Sequence, residues 1–446
     1  MKLFKPLKIC LLGLFLIAIV LSCKTKEITS SEAKKDFVTV HGTGFEINGK
    51  PYHYLGTNFW YGLNLGSKGT AGDRERLTRE LDRLKDMGVT NLRVMGGSEG
   101  PDTEPYRMVP ALQTKPGEYN QDVLEGLDFL LSEMKKRDMR AIVCLNNFWN
   151  WSGGVGQYIV WAGAADSIPY PPPHRGGDWG RYQEFASDFY TTPKAVDLFN
   201  KHIEFITNRK NSVTNVDYKN DPTIMAWELM NEPRGIKKGD VFLKWIDATA
   251  GIIKKNDPNH LVTTGSEGKT SSDYSGTDLA KDHASANIDY TTIHIWVQNW
   301  GYYDPKKADA TYDSAVRYAL NYIDEHEEVA RKINKPMVLE EFGISRDLNN
   351  HEPHSPVTVR DKYYERIFEE VYNRASKDSS VLVACNFWAW GGEGRPHVPE
   401  GMWKPGDNFI GDPPHESQGW YSVYDKDSTT NDIIKKYAGK MNSIEK

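Results

Sequence analysis

The chain of 446 residues predicts an α/β fold of the (β/α)₈ type, a TIM barrel. Three observations predict it. Eight short apolar runs follow one another along the chain, amphipathic stretches separate nearly all of them, and the two longest interruptions both leave the C-terminal end of a strand candidate. An open sheet is the poorer reading of eight successive βα units.

The strand candidates are Tyr54–Trp60, Asn91–Met95, Ala141–Phe148, Ile224–Asn231, Leu261–Gly265, Tyr290–Trp296, Met337–Phe342 and Leu382–Trp388. Between them lie RERLTRELDRLKDMG, QDVLEGLDFLLSEMKKRD, KAVDLFNKHIEFITNR, DVFLKWIDATAGIIKKN, YDSAVRYALNYIDEHEEVARKI and VRDKYYERIFEEVYNRAS. Their apolar residues recur at three- and four-residue spacing, the mark of a helix with one buried face. Only a weak helix near Asp278–His283 follows the fifth strand, and DIIKKYAGKM supplies the last one. Residues 37–55 read as an N-terminal β-hairpin of the kind that plugs a barrel bottom. Long βα loops follow strand three (149–193) and strand eight (391–420), on the face where such barrels build their sites.

The N-terminus carries a different signal. Lys2, Lys5 and Lys8 precede an apolar run from Ile9 to Leu21, too short for a good membrane span. The run ends in Val20-Leu21-Ser22-Cys23, which resembles a bacterial lipobox. The expectation is a lipoprotein leader at 1–23 with Cys23 lipidated, a flexible tether at 24–36 and a barrel at 37–446; an ordinary signal peptide or an uncleaved anchor is the alternative. The protein is then expected at the bacterial cell envelope, membrane-attached through lipid alone. Cys144 and Cys385 sit in apolar strand-like runs and read as core residues.

A net charge of -6 with no basic stripe argues against nucleic acid as a partner. Thirteen Trp and 23 Tyr suit a glycan ligand, whose C–H faces stack on aromatic rings, and equally suit a large aromatic core. The strand ends decide more. Strand four runs out in Trp227-Glu228-Leu229-Met230-Asn231-Glu232-Pro233-Arg234, and strand seven in Glu340-Glu341-Phe342-Gly343. Each places a carboxylate where a barrel opens to solvent. Two carboxyl groups cleave a glycosidic bond, one protonating the leaving oxygen while the other attacks or activates water. Singly, Asn231-Glu232 reads as a helix cap and Glu340-Glu341 as partners of barrel arginines. No His/Asp/Glu grouping has metal spacing, and no cofactor is expected.

The NEP and EFG motifs after strands four and seven resemble glycoside hydrolase family 5, a retaining family. The stretch from Arg209 to Arg234, with GTNFWYG, NNFWNWSGG and NFWAWGG, resembles its mannanase subfamily over roughly residues 37 to 440. The resemblance implies a monomeric endo-β-1,4-mannanase acting on mannan, glucomannan or galactomannan by double displacement. An exo-β-mannosidase or β-1,4-glucanase of the family is the near alternative, and a non-catalytic glycan-binding lipoprotein the distant one. It implies Glu232 as acid/base and Glu341 as nucleophile. Glu341, not Glu340, stands directly before Phe-Gly, and strand alternation allows only one of the pair to face the cleft. It further implies that Asn231 bonds the sugar 2-hydroxyl, that Arg93 keeps the nucleophile ionised, and that His294 lies in the site. Trp296 stands where the family commonly has Tyr, and its indole N–H can still donate. Trp388 matches the aromatic floor, with Trp390 a lesser candidate for the same wall. Trp60 is a further sugar contact and Arg234 a leaving-group-side one.

Overall fold

Eight short strands, buried throughout except at Arg140, set the architecture: Tyr54–Asn58, Asn91–Met95, Arg140–Cys144, Ile224–Glu228, Leu261–Thr263, Thr291–Ile295, Met337–Phe342 and Leu382–Phe387. These are named below first to eighth. In this computed structural model, which describes Met1 and residues 35–445, all eight pair in parallel, in the spatial order fifth, fourth, third, second, first, eighth, seventh, sixth. The ladder stays open only between the fifth and sixth strands. That seam is bridged by Asp289 N–H to Val262 O (2.8 Å), Thr263 Oγ1 to Tyr290 O (3.0 Å), Thr292 Oγ1 to Ser266 O (2.8 Å) and His294 N–H to Glu267 O (3.0 Å). The sheet is thus a nearly closed barrel. Val, Ile and Leu dominate its strands because helices cover the outer face and side chains fill the inner one.

The helices form where the periodicity places them, with local residues fixing the ends. Asp73 accepts the Arg76 N–H (2.8 Å) to start Arg74–Asp86, Asn120 accepts the Asp122 N–H (3.0 Å) to start Gln121–Lys136, and Pro193 opens Pro193–Thr207. Gly239–Asn256, Ala308–Lys332, Thr358–Ala375 and Ser428–Asn442 complete the ring, and after the fifth strand come only the short turns Asp273–Ser275 and Leu279–Asp282. Val38–His41, Gly44–Ile47 and Lys50–Pro51 form a three-stranded antiparallel ribbon. Val38 and Phe45 from this ribbon join Tyr54, Ile142, Met225, Tyr290, Val338 and Val383 in one apolar cluster that closes the barrel bottom.

The segment after the third strand differs from the expected loop. It folds into Gly154–Trp161 and Trp179–Ser187, because GVGQYIVW is apolar enough to bury one side and Asp178 caps the second helix at Arg181 N–H (2.6 Å). The segment after the eighth strand has no helix and is tied down by buried charge. Arg76 bonds Glu80 (3.1 Å) and the carbonyls of Gly391 and Phe409 (both 3.0 Å), while Glu80 accepts from Trp390 Nε1 (2.9 Å) and Glu393 N–H (2.6 Å). Gly392 has φ +54°, and a Cβ there would lie 2.1 Å from the Glu80 carboxylate, so only glycine fits. Trp390, fully buried on Glu80, is a strap anchor and not a wall of the cavity. Cys144 and Cys385 are buried free thiols. The leader, Cys23 and the tether up to residue 34 lie outside the described residues.

Candidate active site

The C-terminal strand ends open into a cavity of about 580 Å³, lined by Glu232 and Glu341 together with Asn231, Arg234, Trp296 and Trp388 from the expected set. Arg93 and His294 lie just beneath its lining, 4% and 0% exposed. Trp60 does not line the main cavity but borders a small buried pocket with Arg93, Asn231 and Trp388. It packs behind Trp151 and Tyr61, and its Nε1 donates to Gly411 O (2.9 Å), so it steadies the strand-eight segment.

Backbone contacts aim the two glutamates. The fourth strand continues past its ladder, with Asn231 N–H on Asn146 O and Glu232 N–H on Gly265 O, both 2.9 Å. Glu232 has φ +51°, a left-handed conformation that a non-glycine residue holds at a cost of about 1–3 kcal/mol. In the seventh strand the register slips: Ile293 pairs with Leu339 but His294 pairs with Glu341. The bulge at Glu340 leaves one glutamate of the pair at the cleft, as alternation predicts, but keeps the other inside the barrel. Only Glu341 lines the cavity, yet Glu340 is also fully buried inside the barrel, directly below it.

Charge is dense here. Arg93 donates Nε and Nη2 to Glu228 (2.7 and 2.5 Å), Nη2 to Asn231 Oδ1 (2.8 Å), and Nη1 to Asn58 Oδ1 (3.1 Å) and to Glu341 Oε1. Trp296 Nε1 donates to Glu341 Oε2 at 3.2 Å, the contact open to an indole standing where the family commonly has Tyr. Glu232 receives Trp149 Nε1 on Oε2 (2.6 Å) and faces His294 Nδ1 at Oε1 (2.7 Å). His294 Nδ1 is also 3.3 Å from Glu341 Oε2, and one oxygen of each glutamate lies within 4.8 Å of the other. These atoms have the spacing of metal ligands, but Arg93 already supplies a fixed cation against them, and the trio reads as a proton-sharing set.

Its titration follows from burial and neighbours. Burial raises the Glu341 carboxyl, to about 7, against the pull of His294 and Arg93. Burial would raise Glu232 too, but the His294 hydrogen bond and charge, then Arg234 and Trp149, hold it down at about 2. His294, which burial alone would depress, is lifted to about 10 by Glu341, Glu232 and Glu340. The free pocket therefore keeps a proton on the imidazole between two carboxylates. Moving it across one hydrogen bond, from Nδ1 to Oε1, makes Glu232 an acid.

Sequence reasoning missed five residues here. Glu228 orients Arg93; Glu267 pairs with Arg234 (2.7 and 2.8 Å); and the Trp149 ring lies 4.9 Å under the Arg234 guanidinium. His415 and Glu416 come from the strand-eight segment, and His415 Nδ1 and Glu416 Oε2 are buried without a partner. Both long segments meet over the site, with Trp179 edge-on to His415 at 6.2 Å between ring centres. None of the five stands in a periodic pattern, and only Glu228, four residues before Glu232 on a strand, carried a signal in its position.

Comparison with known proteins agrees with this geometry. The sequence matches the family model described as GH family 5 beta-mannosidase-like over residues 35–446. The solved glycoside hydrolase family 5 mannosidase of Rhizomucor miehei is 40% identical, covers 92% of this chain and 99% of its own, and superposes with a TM-score of 0.85. A mutant of that mannosidase has been solved with mannosyl-fructose. The endo-β-1,4-mannanase of Thermotoga petrophila is 26% identical over 90% of this chain and 79% of its own, with a TM-score of 0.67. Mannan endo-1,4-beta-mannosidase 1 of Solanum lycopersicum is 32% identical over 88% of this chain and 91% of its own. With the nearly closed barrel and the two strand-end glutamates, these likenesses have one reading: the chain is an enzyme of glycoside hydrolase family 5, in its β-mannosidase-like group.

Proposed function

We propose that this enzyme hydrolyses β-1,4-linked mannosides from their non-reducing ends, releasing mannose with retention of configuration. Glu341 attacks the anomeric carbon while Glu232 gives its proton to the departing oxygen; water then displaces Glu341 from the sugar as Glu232 takes back a proton. The carboxylate spacing within 4.8 Å suits direct attack, since an inverting pair needs room for a water between them. Trp388 is the floor under the sugar, Asn231 the contact for its 2-hydroxyl, and Arg234 on Trp149 the leaving-group side.

The observation that carries the exo reading is the strand-eight segment. It brings Glu416 and His415, each with an unpartnered buried polar atom, into the cavity, and meets Trp179 across it. A buried carboxyl there, pushed well above its ordinary value by burial, requires a hydroxyl partner. A terminal mannose offers free hydroxyls, whereas an internal one has spent its 4-oxygen in a linkage, and a buried polar atom left unmatched costs about 1–3 kcal/mol. The 40% identical relative is likewise named a mannosidase. The endo reading expected from sequence is supported by the tomato relative named a mannan endo-1,4-beta-mannosidase and by the endo-β-1,4-mannanase of Thermotoga petrophila, at lower identity to this chain.

Mannopentaose labelled at its reducing end separates them. Early mannose with labelled mannotetraose fits exo action; early mannobiose and mannotriose overturn it. The catalytic assignment is tested by trapping with a 2-fluoromannoside, where a label on any residue but Glu341 removes it. We also propose attachment to the cell envelope through Cys23, supported by the leader sequence.

A further inference from the structure

His294 has a second face. Its Nδ1 looks up at Glu232 and Glu341, and its Nε2 looks down at Glu340 Oε2, 3.9 Å away. Both of these lower atoms are fully buried, and neither has a hydrogen-bond partner. Unpartnered buried polar atoms are rare in folded proteins, and here two of opposite capacity face each other. A side-chain shift of about 1 Å brings them to hydrogen-bond distance.

The bulge in the seventh strand creates this arrangement. It lets consecutive glutamates both point inward, Glu341 at the cavity and Glu340 one layer below. Glu340 is faced from every side: by Arg93 of the second strand (Nε, 3.8 Å), Glu228 of the fourth, Tyr290 beside the sixth (hydroxyl at 3.5 Å from Oε1), Tyr54 of the first and His294 of the sixth. Arg93 is already committed to Glu228 and Glu341, so it leaves Glu340 without a close ion pair. Burial, then the Glu228 charge, raise its carboxyl and favour the protonated form, against the pull of His294 and Arg93.

We propose that Glu340, His294 and Glu232 form a proton-sharing line in which Glu340 is a positioning residue that sets the imidazole tautomer and, through it, the protonation of Glu232. The doubly protonated imidazole between ionised Glu340 and Glu232 is the midpoint of the line. In one state to its side, Nε2 has returned its proton to Glu340, whose O–H donates to Nε2 while Nδ1–H donates to an ionised Glu232. In the other, the Glu340 proton has passed to Nε2 and the Nδ1 proton to Glu232 Oε1. One O–H bond breaks and one N–H bond forms at the lower end, and the reverse happens at the upper end. Total charge is unchanged, and Glu232 has become the loaded acid. The line rests on the reading of Glu232 as acid/base.

The test compares Glu340→Gln with Glu232→Gln on two substrates. Mannobiose has a poor leaving group and needs the acid; 2,4-dinitrophenyl β-mannoside needs little protonation in its first step. Glu340→Gln keeps shape but cannot exchange a proton with Nε2. It is expected to lower kcat/KM on mannobiose about tenfold at pH 7, to move the basic limb of that profile to lower pH by about one unit, and to leave the first-step rate on the aryl mannoside unchanged. Equal loss on both substrates with an unmoved basic limb makes Glu340 merely structural and overturns the line. Glu232→Gln must show the same selectivity more strongly; if it does not, the acid/base reading itself has failed. Should Glu340→Gln fold poorly, ¹⁵N-histidine NMR of the unmodified protein reads the tautomer directly, with His294→Gln identifying the signal. A change of tautomer across the basic limb is expected, and one tautomer from pH 5 to 9 overturns the proposal.

Discussion

Replacing Arg93 with lysine keeps the positive charge and removes the fork. The guanidinium makes three charge-assisted bonds, two to Glu228 and one to Glu341, and two more to Asn231 and Asn58. A single ammonium cannot span Glu228 and Glu341 together, so at least two of the three charged bonds are lost. Each is worth about 1.5–3 kcal/mol, and the retained charge keeps the net loss near the low end, about 3 kcal/mol. On the proposed assignment the nucleophile also loses its rigid support, and a displacement of about 1 Å costs on the order of 10²-fold in rate. Arg93 holds the Glu341 carboxyl down against burial, so withdrawing the guanidinium raises it further above about 7. A nucleophile must be ionised, so the acidic limb of kcat/KM moves to higher pH. Urea unfolding measures the first effect, and kcat/KM on mannobiose from pH 4 to 9 the second. If Arg93→Lys is destabilised by about 3 kcal/mol yet keeps its acidic limb and its kcat/KM, Arg93 is a structural clamp and the argument about Glu341 is wrong.

Trp149→Phe keeps a ring under Arg234 but removes the N–H that favours ionised Glu232; the Glu232 carboxyl rises and the basic limb of kcat/KM moves to higher pH, read from the same profiles. Asp427→Asn strands the buried guanidinia of Arg346 and Arg360, costing about 3–5 kcal/mol at pH 7 by urea unfolding. Burial raises Asp427 but Arg360 and Arg346 hold it below its ordinary value, so its stabilisation is full above about pH 4 and lost as pH falls through the depressed value. The stability gap between the two proteins therefore narrows on acidification. Cys23→Ala is expected to move the protein from the membrane fraction to the soluble one in fractionated cells.

Periodic features were legible in the sequence. Every barrel strand began within a residue of its expected start, because a strand buried on both faces is a short apolar run that recurs here between amphipathic stretches. Glu232 and the Glu340-Glu341 pair stand out because strand ends place them, whereas Arg93 and the choice of Glu341 rest on the family resemblance. What the sequence hid depends on contacts between distant segments. Glu267, Trp149, His415 and Glu416 acquire their roles only when the barrel closes and two aperiodic segments fold back over it. The bulge at Glu340 was hidden for another reason. A one-residue slip leaves no mark in composition, yet it keeps Glu340 inside the barrel below the Glu341 that faces the cavity.

The left-handed backbone at Glu232 has a consequence for how this protein changes under selection. Glycine and asparagine adopt φ +51° readily, and glutamate does not. At this position the demands of folding and of turnover diverge, and the barrel around it is stable enough to impose the second. Mutational drift under a screen for heat resistance alone meets no such demand. It gains by relaxing residue 232 and loses nothing that the screen can see. A line evolved for thermostability without a turnover assay would therefore lose Glu232, the proposed acid, while the barrel and its loops remained intact.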